Sequence, residues 1–220
     1  MDYTQKNDSF TNHHGFQHYV LLYNDTKSRD DYLIDYINQG LNKNELCIYA
    51  SVGLRDKNSL KFVKRIVDYE KNISENNLIL VDLAPFYIAA LTNDFRVFKE
   101  IKKDISEKIK NRENKKIRFS GDGAGFLYDN KHFAQCKSIE SWWQHQRPFE
   151  GIVLCPYQKS NLEKYPFNLH KDNVFGKQHD HVIYAEGILN EERIANKREI
   201  NSSKEINNKE DGKENGGSIS

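Results

Sequence analysis

The sequence predicts an α/β fold, a three-layer sandwich in which helices cover both faces of a mostly parallel sheet. Short apolar runs alternate with helical patterns along most of the chain, an order typical of β-α-β units. The strand candidates are nearly continuous apolar runs, as expected for strands that are buried on both faces. With 220 residues the chain is long enough for one domain with a sizeable core.

The first half of the chain supplies three predicted strands, each followed by a predicted helix. The first strand, HYVLLY, precedes a helix in which Leu33, Tyr36, Ile37 and Leu41 fall at helical spacing and which Gly40 or Asn42 would end. The other predicted elements are strand LCIYAS (46–51), an amphipathic helix (59–72), strand LILVDL (78–83) and a charged helix (94–111).

The second half supplies three more strands and one helix. They are KKIRFSGD (115–122), a helix around 136–146, GIVLCPY (151–157) and HVIYAEG (181–187). The folded domain is therefore expected to span 16–190, after a flexible segment (1–15). A disordered tail (191–220) is expected to follow, because it is charged, rich in Asn and Ser, and has no aromatic residue.

Composition and charge argue against several partners. The net charge is +1, so no global field favours nucleic acid or an anionic membrane. No apolar run approaches the roughly 20 residues that a membrane helix needs, and the first residues lack the apolar core of a secretory signal. Three cysteines without a CxxC pair fit a reducing compartment. We therefore expect a cytoplasmic domain that binds neither nucleic acid nor membrane.

The stretch YNDTKSRDDYL follows the first strand, where a nucleotide-binding protein would carry its glycine-rich phosphate loop. It contains a Lys27-Ser28 pair but no glycine. Side chains at 24–26 block the close backbone approach that phosphate requires, and Asp25 adds a negative charge. A polar turn with a helix N-cap near Ser28 is the favoured interpretation, and ATP hydrolysis by the usual P-loop mechanism is not expected.

A second candidate is the glycine motif FSGDGAGFLYD, which ends a predicted central strand. Its G-x-G-x-G spacing differs from the dinucleotide fingerprint G-x-G-x-x-G, and no helix start is expected directly after it. Ligands of open α/β sheets bind beyond the carboxyl ends of strands, which makes Asp122 a candidate site residue. A flexible structural turn explains the glycines equally well.

Cysteine and histidine residues form a third group of candidates. Cys155 lies near the end of a predicted strand, and His13, His14, His18 and His179 supply further ligand types. No zinc spacing is present, and a free strand cysteine is usually a small buried residue. No metal or cofactor is therefore predicted, although a metal site and a Cys155–His179 nucleophilic dyad remain alternatives.

The segment SIESWWQHQRPFE contains adjacent tryptophans on a predicted helix. Trp142 and Trp143 would point about 100° apart, so one is expected to pack on the sheet while the other lines a pocket or a subunit contact. Glu140 on the same helix is either a solvated glutamate or a site residue at the sheet.

Together these residues resemble the MEDS sensory domain, named for methanogens, methylotrophs and DcmR. The resemblance covers about 16–187. It rests on H-x-x-x-x-Y at the first strand, the helix end YINQGLNKNE, the strand LCIYAS, the glycine-aspartate turn, LCPY and HDHVI.

The resemblance implies a RecA/KaiC-like P-loop fold whose phosphate loop has degenerated and which senses small organic molecules such as hydrocarbon derivatives. Phe126 departs from the family, where a tryptophan often follows the turn, and Gly40 and Glu45 are expected to be structural. The family pattern carries over to His18, Tyr23, Gly40, Glu45, Asp122, Glu140, Cys155, Tyr157 and His179.

We therefore expect a non-catalytic ligand-binding domain that signals through a separate partner, such as a histidine kinase or a KaiC-like ATPase, and homodimerisation is compatible with this role. The alternatives are an ATPase-related or Cys/His enzyme and a protein-interaction regulator without a ligand. One pocket at the strand carboxyl ends is expected, lined by His18, Tyr23, Asp122, Phe126, Glu140, Trp143, Cys155, Tyr157 and His179.

Overall fold

A seven-stranded sheet in the order β3-β2-β4-β5-β1-β6-β7 forms the middle layer of the fold. The structure is a computed structural model that describes residues 15–92, 116–164, 179–185 and 192–193, with isolated positions between 94 and 110. The strands are β1 (Phe16–Tyr23), β2 (Leu46–Ser51), β3 (Leu78–Asp82), β4 (Ile117–Gly121), β5 (Gly151–Gln158), β6 (His181–Tyr184) and β7 (Glu192–Arg193). The first six strands pair in parallel, and β7 pairs antiparallel to β6.

Seven helices are described beside this sheet. They are α1 (Thr26–Asn42), α2 (Lys57–Val63), α3 (Tyr69–Ser74), α4 (Ala84–Thr92), α5 (Gly123–Asp129), α6 (Phe133–Gln146) and α7 (Lys159–Lys164). None of these described helices is long and apolar enough to cross a membrane.

Two apolar cores cover the two faces of the sheet. One contains side chains of α4, α5 and α6, such as Phe86, Leu127 and Cys136. The other contains side chains of α1 and α2, such as Ile37 and Phe62. Alternate residues of each strand enter opposite cores, so the three-layer α/β sandwich predicted from the sequence is confirmed.

Several predicted element boundaries are corrected. The helix expected over 59–72 is two short helices, because Asp68 between them has a left-handed backbone with φ of 45°. A helix, α5, begins directly after Asp122, although none was expected there. Helices α4 and α7 were not predicted. Most of the predicted 94–111 helix lies outside the described residues.

The domain boundaries differ slightly from expectation at the C-terminal end. Strand β7 lies beyond residue 190, where the tail was expected to begin, and its register pairs Glu192 with Val182. Residues 1–14 and 194–220 lie outside the described part, so the expected flexibility of these segments stays a prediction.

Gly40 and Glu45 support the core, as expected. A Cβ atom on Gly40 would lie 2.6 Å from Arg118 Cδ and 2.7 Å from Cys47 Sγ, so only glycine leaves room for the arginine. The Arg118 side chain is 1% exposed and forms an ion pair with Glu45, and it donates a hydrogen bond to the Tyr36 carbonyl at 3.1 Å. A buried guanidinium needs such a partner, since an unpaired buried charge is costly.

Candidate functional site

The register between β1 and β5 brings His18 and Cys155 to the same face of the sheet. His18 pairs with Val153, and Val20 pairs with Cys155. Val20, Val153 and Cys155 all belong to the core under α6, and alternation along β1 puts His18 on this face too. His18 Nε2 lies 3.4 Å from Cys155 Sγ. The first side chain of the site is therefore that of His18, the third residue of β1, which is buried between the sheet and α6.

Helix α6 supplies the carboxylate. Its buried residues are Cys136 and Glu140, four positions apart and therefore on one face. Trp143, one turn further, packs with its ring centroid 4.8 Å from that of Phe119 and 6.5 Å from that of His18. Trp143 is thus the tryptophan that packs on the sheet. Glu140 is 1% exposed, so the solvated alternative for this residue is wrong.

Two hydrogen bonds between Asp180 and the main chain of His18 position His179. The His18 N–H donates to Asp180 Oδ2 at 2.8 Å, and the Asp180 N–H donates to the His18 carbonyl at 2.7 Å. The His179 ring then lies 4.0 Å from the His18 ring, centroid to centroid. His181, two residues on, stacks on Tyr19 on the other face, because the bend at Asp180 precedes the regular strand.

The four side chains converge on one point; we call His18, Glu140, Cys155 and His179 the buried cluster. Glu140 Oε2 lies 3.1 Å from His18 Nε2 and 3.0 Å from His179 Nε2. One ligand-type atom from each residue lies within 4.8 Å of the corresponding atom of every other. All four residues are buried, at no more than 3% exposure.

Tyr157 and Cys136 lie behind the carboxylate. The Tyr157 hydroxyl donates to Glu140 Oε1 and lies 3.4 Å from Cys136 Sγ. Burial, reinforced by the neighbouring Cys136 and Glu140, raises the pKa of the Tyr157 phenol well above its ordinary value, so the phenol keeps its proton and acts as the donor. This bond leaves Glu140 Oε2 directed at the two imidazoles.

Electrostatics inside the buried cluster are set by burial and by mutual contact. Burial alone would raise the pKa of the Glu140 carboxyl, but the imidazoles of His179 and His18 hold that pKa below its ordinary value. Burial, with the Glu140 carboxylate beside it, raises the pKa of the Cys155 thiol well above its ordinary range. Imidazole, thiol and carboxylate groups that converge in this way are also the groups that bind transition metals.

Tyr23, Asp122 and Phe126 lie apart from the buried cluster, so the single pocket expected from the sequence is divided. Tyr23 points to the opposite face from His18, since five residues separate them on β1. Burial and the carboxylates of Asp129 and Asp122 raise the pKa of the Tyr23 phenol, while Arg29 opposes them. Phe126 is 39% exposed and packs edge-on against Tyr87. Ligand contact by these three residues stays a prediction.

Asp122 joins the carboxyl ends of two strands. Its carboxylate accepts hydrogen bonds from Ser51 Oγ at 2.6 Å and from the Val52 N–H at 2.8 Å. Burial raises the pKa of this carboxyl, while the two donors act in the opposite direction. The residue is therefore held in place by β2 as well as by β4.

Gly125, the last glycine of the glycine motif, allows α5 to pack closely on β5. A Cβ atom on Gly125 would lie 2.3 Å from the Pro156 carbonyl oxygen, so this glycine lets α5 approach the backbone of β5. At Gly123 the nearest atom would be Leu83 Cδ1 at 3.2 Å, a side-chain contact that is easier to relieve.

The phosphate-loop position is occupied by the chain's own carboxylates. Asp25, and not Ser28, is the N-cap of α1: its side chain accepts from the Ser28 N–H at 2.9 Å and from Ser28 Oγ at 2.7 Å. Lys27 Nζ lies 2.9 Å from Asp31 Oδ2. A helix N-terminus and a lysine are what a phosphate loop would use, and here both already have an anionic partner.

Two residues of the site were missed by sequence reasoning. Cys136 shares a helix face with Glu140, and its spacing of four residues was the available signal. Asp180 anchors His179 to β1, and no sequence signal pointed to it, because its hydrogen bonds join residues 162 positions apart.

The family comparison agrees with this architecture. The profile of the MEDS family, described as the MEthanogen/methylotroph, DcmR Sensory domain, matches residues 17–167. The chain therefore belongs to the MEDS family, as the sequence resemblance implied. A comparison with curated proteins gives no match.

One solved structure supports the fold assignment. The chain is similar to the uncharacterized protein PH0321 from Pyrococcus horikoshii, solved with an unknown peptide, at a TM-score of 0.52 and 12% identity over 76% of each chain. The flagellar accessory protein FlaH from Methanocaldococcus jannaschii is similar at a TM-score of 0.44 and 12% identity, over 76% of this chain and 70% of that one. The RecA/P-loop-like α/β fold is confirmed.

Proposed function

We propose that this chain is a non-catalytic sensory domain that binds a small organic molecule at the buried cluster. The observation that carries the proposal is the convergence of four buried polar side chains between α6 and the sheet. Burying such groups costs free energy that apolar residues would not cost. Clusters of this kind within an apolar wall are typical of functional sites, and membership of a sensory-domain family favours a ligand over a purely structural role.

The absence of catalysis is supported by the turn between β1 and α1. Asp25 caps the helix N-terminus, and Lys27 pairs with Asp31. A phosphate would have to displace the Asp25 carboxylate from the helix N-terminus and the Asp31 carboxylate from Lys27. Both carboxylates would also repel the phosphate, because all three groups are negatively charged. Phosphoryl transfer therefore has no prepared cradle at this position.

The signal would pass through α6 to a separate protein. A ligand shifts a conformational equilibrium only if it prefers one state, and α6 contributes Glu140 to the buried cluster. A ligand that moves Glu140 would thereby reposition the helix and the surface that it presents. The expected recipient in the cytoplasm is a histidine kinase or a KaiC-like ATPase, with a homodimer as a compatible arrangement.

A thermal-shift screen tests the proposal. Purified protein is heated with Mg²⁺-ATP and, separately, with a panel of haloalkanes, alcohols and aromatic metabolites. A compound at ~100 times its Kd stabilises the native state by about 2.7 kcal/mol, enough to raise Tm by several degrees. We expect a shift with an organic compound and none with Mg²⁺-ATP. A shift with Mg²⁺-ATP that Lys27→Ala abolishes would contradict the proposal.

A Cys/His hydrolase is the second candidate, because His18 Nε2 and Cys155 Sγ are in contact. This pair differs from the expected Cys155–His179 dyad, although His179 lies in the same cluster. A hydrolase would form a covalent adduct at Cys155 with a chromogenic ester, detected by mass spectrometry of the intact protein. The sensory proposal expects no adduct and no turnover.

A further inference from the structure

We propose that the buried cluster is a mononuclear transition-metal site, in which His18, Glu140, Cys155 and His179 coordinate a divalent ion of the zinc class. This inference concerns the metal alone and goes beyond the proposed sensory function, because it holds whether or not an organic molecule binds. It places a metal at residues for which the sequence alone predicted none.

The identity of the donors selects the class of ion. Two imidazole nitrogens, one thiolate sulfur and one carboxylate oxygen are a mixed set that Zn²⁺ accepts readily. Mg²⁺ and Ca²⁺ prefer oxygen donors alone. Ions of the zinc class include Co²⁺, Fe²⁺ and Ni²⁺, which bind the same ligands with affinities that follow the Irving–Williams order.

Three of the six distances between the donor atoms lie close to the edges of a tetrahedral site, and all six are within 4.8 Å. With metal–ligand bonds of about 2.0–2.3 Å, the edges of a tetrahedral site are about 3.3–3.6 Å long. These three edges are 3.1 Å between His18 and Glu140, 3.0 Å between His179 and Glu140, and 3.4 Å between His18 and Cys155. Lengthening these three edges by roughly a few tenths of an ångström, with the other three adjusted to similar lengths, would admit the ion.

Charge balance favours an ion at this depth. The Glu140 carboxylate and the Cys155 thiolate carry two negative charges, and the imidazoles bind a metal in their neutral form. A divalent cation brings the total to zero, and zero net charge is the least costly state for a fully buried centre. Binding releases the Cys155 thiol proton to solvent, and no electron is transferred.

The surrounding contacts hold the ligands in place. The Tyr157 hydroxyl occupies Glu140 Oε1 and thereby directs Oε2 at the imidazoles. Asp180 fastens the backbone beside His179 to β1. Hydrogen bonds that orient ligands in this way are a regular feature of protein metal sites.

Cobalt substitution tests the site directly. The full-length protein is stripped with a chelator and titrated with Co²⁺, and the absorption spectrum is recorded. We expect one Co²⁺ per chain, intense visible bands typical of tetrahedral geometry and a near-ultraviolet band from thiolate-to-cobalt charge transfer. Zn²⁺ added in excess should remove all of these bands.

Matched cysteine variants identify the thiolate. Cys155→Ser should abolish the charge-transfer band and weaken Co²⁺ binding at least tenfold. Cys47→Ser should leave both unchanged, because Cys47 is equally buried but directs its thiol at the Ile37 carbonyl. Circular dichroism checks that each variant is folded.

Either of two results overturns the inference. The first is a wild-type protein that binds no stoichiometric Co²⁺ or gives no charge-transfer band, a result that needs no variant to fold. The second is a Cys155→Ser variant that keeps the band. The thermal-shift screen of the organic panel, run in chelator, remains a separate test of the sensory function.

Discussion

His18 and Asp180 are joined by two hydrogen bonds that run in opposite directions. The His18 N–H donates to Asp180 Oδ2 at 2.8 Å, and the Asp180 N–H donates to the His18 carbonyl at 2.7 Å. The bonds join residues 162 positions apart in the sequence. They fix His179 beside His18, and the ring centroids of these two histidines lie 4.0 Å apart. The geometry of the buried cluster therefore depends on a residue that is not a member of it.

Asp180→Ala is expected to loosen His179, because the His18 N–H loses its acceptor. Removing a residue that orients a ligand typically weakens metal affinity by about 10- to 100-fold, and we expect that loss of Zn²⁺ affinity in competition titrations. Asp180→Asn is the control, since its amide oxygen can accept the same hydrogen bond. Equal Zn²⁺ affinities for Asp180→Ala and wild type would show that the anchor has no effect.

Glu45→Ala is expected to destabilise the fold strongly. Arg118 is almost fully buried and pairs with Glu45, and removal of one partner from a buried pair costs about 3–5 kcal/mol. Urea unfolding measures this loss. Lys27→Ala, which breaks an exposed pair with Asp31, should leave the midpoint nearly unchanged. Similar midpoints for the two variants would contradict the structural role given to Glu45.

Gly125→Ala and Gly123→Ala are expected to differ in stability. The new Cβ at Gly125 would meet the Pro156 carbonyl oxygen at 2.3 Å, and overpacking of this kind costs about 1–3 kcal/mol or more. The new Cβ at Gly123 meets a flexible leucine methyl at 3.2 Å, so its effect should be small. The measurement is the denaturation midpoint of each variant, and a larger loss for Gly123→Ala would be inconsistent with this packing.

Asp25→Ala is expected to lower Tm at neutral pH but not in acid. Hydrogen bonds from Ser28 lower the pKa of the Asp25 carboxyl below its ordinary value. A depressed folded-state pKa contributes stability above the unfolded pKa, about 3.9 for Asp, and loses it as pH falls through the folded pKa. The Tm difference between wild type and variant should therefore shrink below about pH 4. Asp25→Asn, which also caps helices well, is the control, and a difference that grows in acid would reverse the assignment.

The sheet was predictable from the sequence because its strands are nearly continuous apolar runs. The break between α2 and α3 was not predictable from the sequence. It depends on a left-handed backbone at Asp68, and no glycine marks this position in the sequence. Helix α5 was missed because the glycines before Phe126 suggested a turn. The close contact of Gly125 with the backbone of β5 explains why glycine occurs inside a helix.

The members of the buried cluster were candidates from the sequence, but their meeting was not predictable. Contact between residues 18, 140, 155 and 179 depends on β1 lying between β5 and β6, and strand order is not written in any local pattern. The placement of His18 and Tyr23 in one pocket was an avoidable error. His18 and Tyr23 are five residues apart on one strand, so alternation places them on opposite faces.

Locating the bound molecule tests the proposed ligand site most directly. An organic compound that raises Tm of the wild type is measured again with Glu140→Gln and with Asp122→Asn. We expect the shift to disappear in Glu140→Gln and to persist in Asp122→Asn, because the proposed site lies between α6 and the sheet. A shift that persists in Glu140→Gln and disappears in Asp122→Asn would place the ligand beside Asp122 at the strand carboxyl ends, and not at the buried cluster.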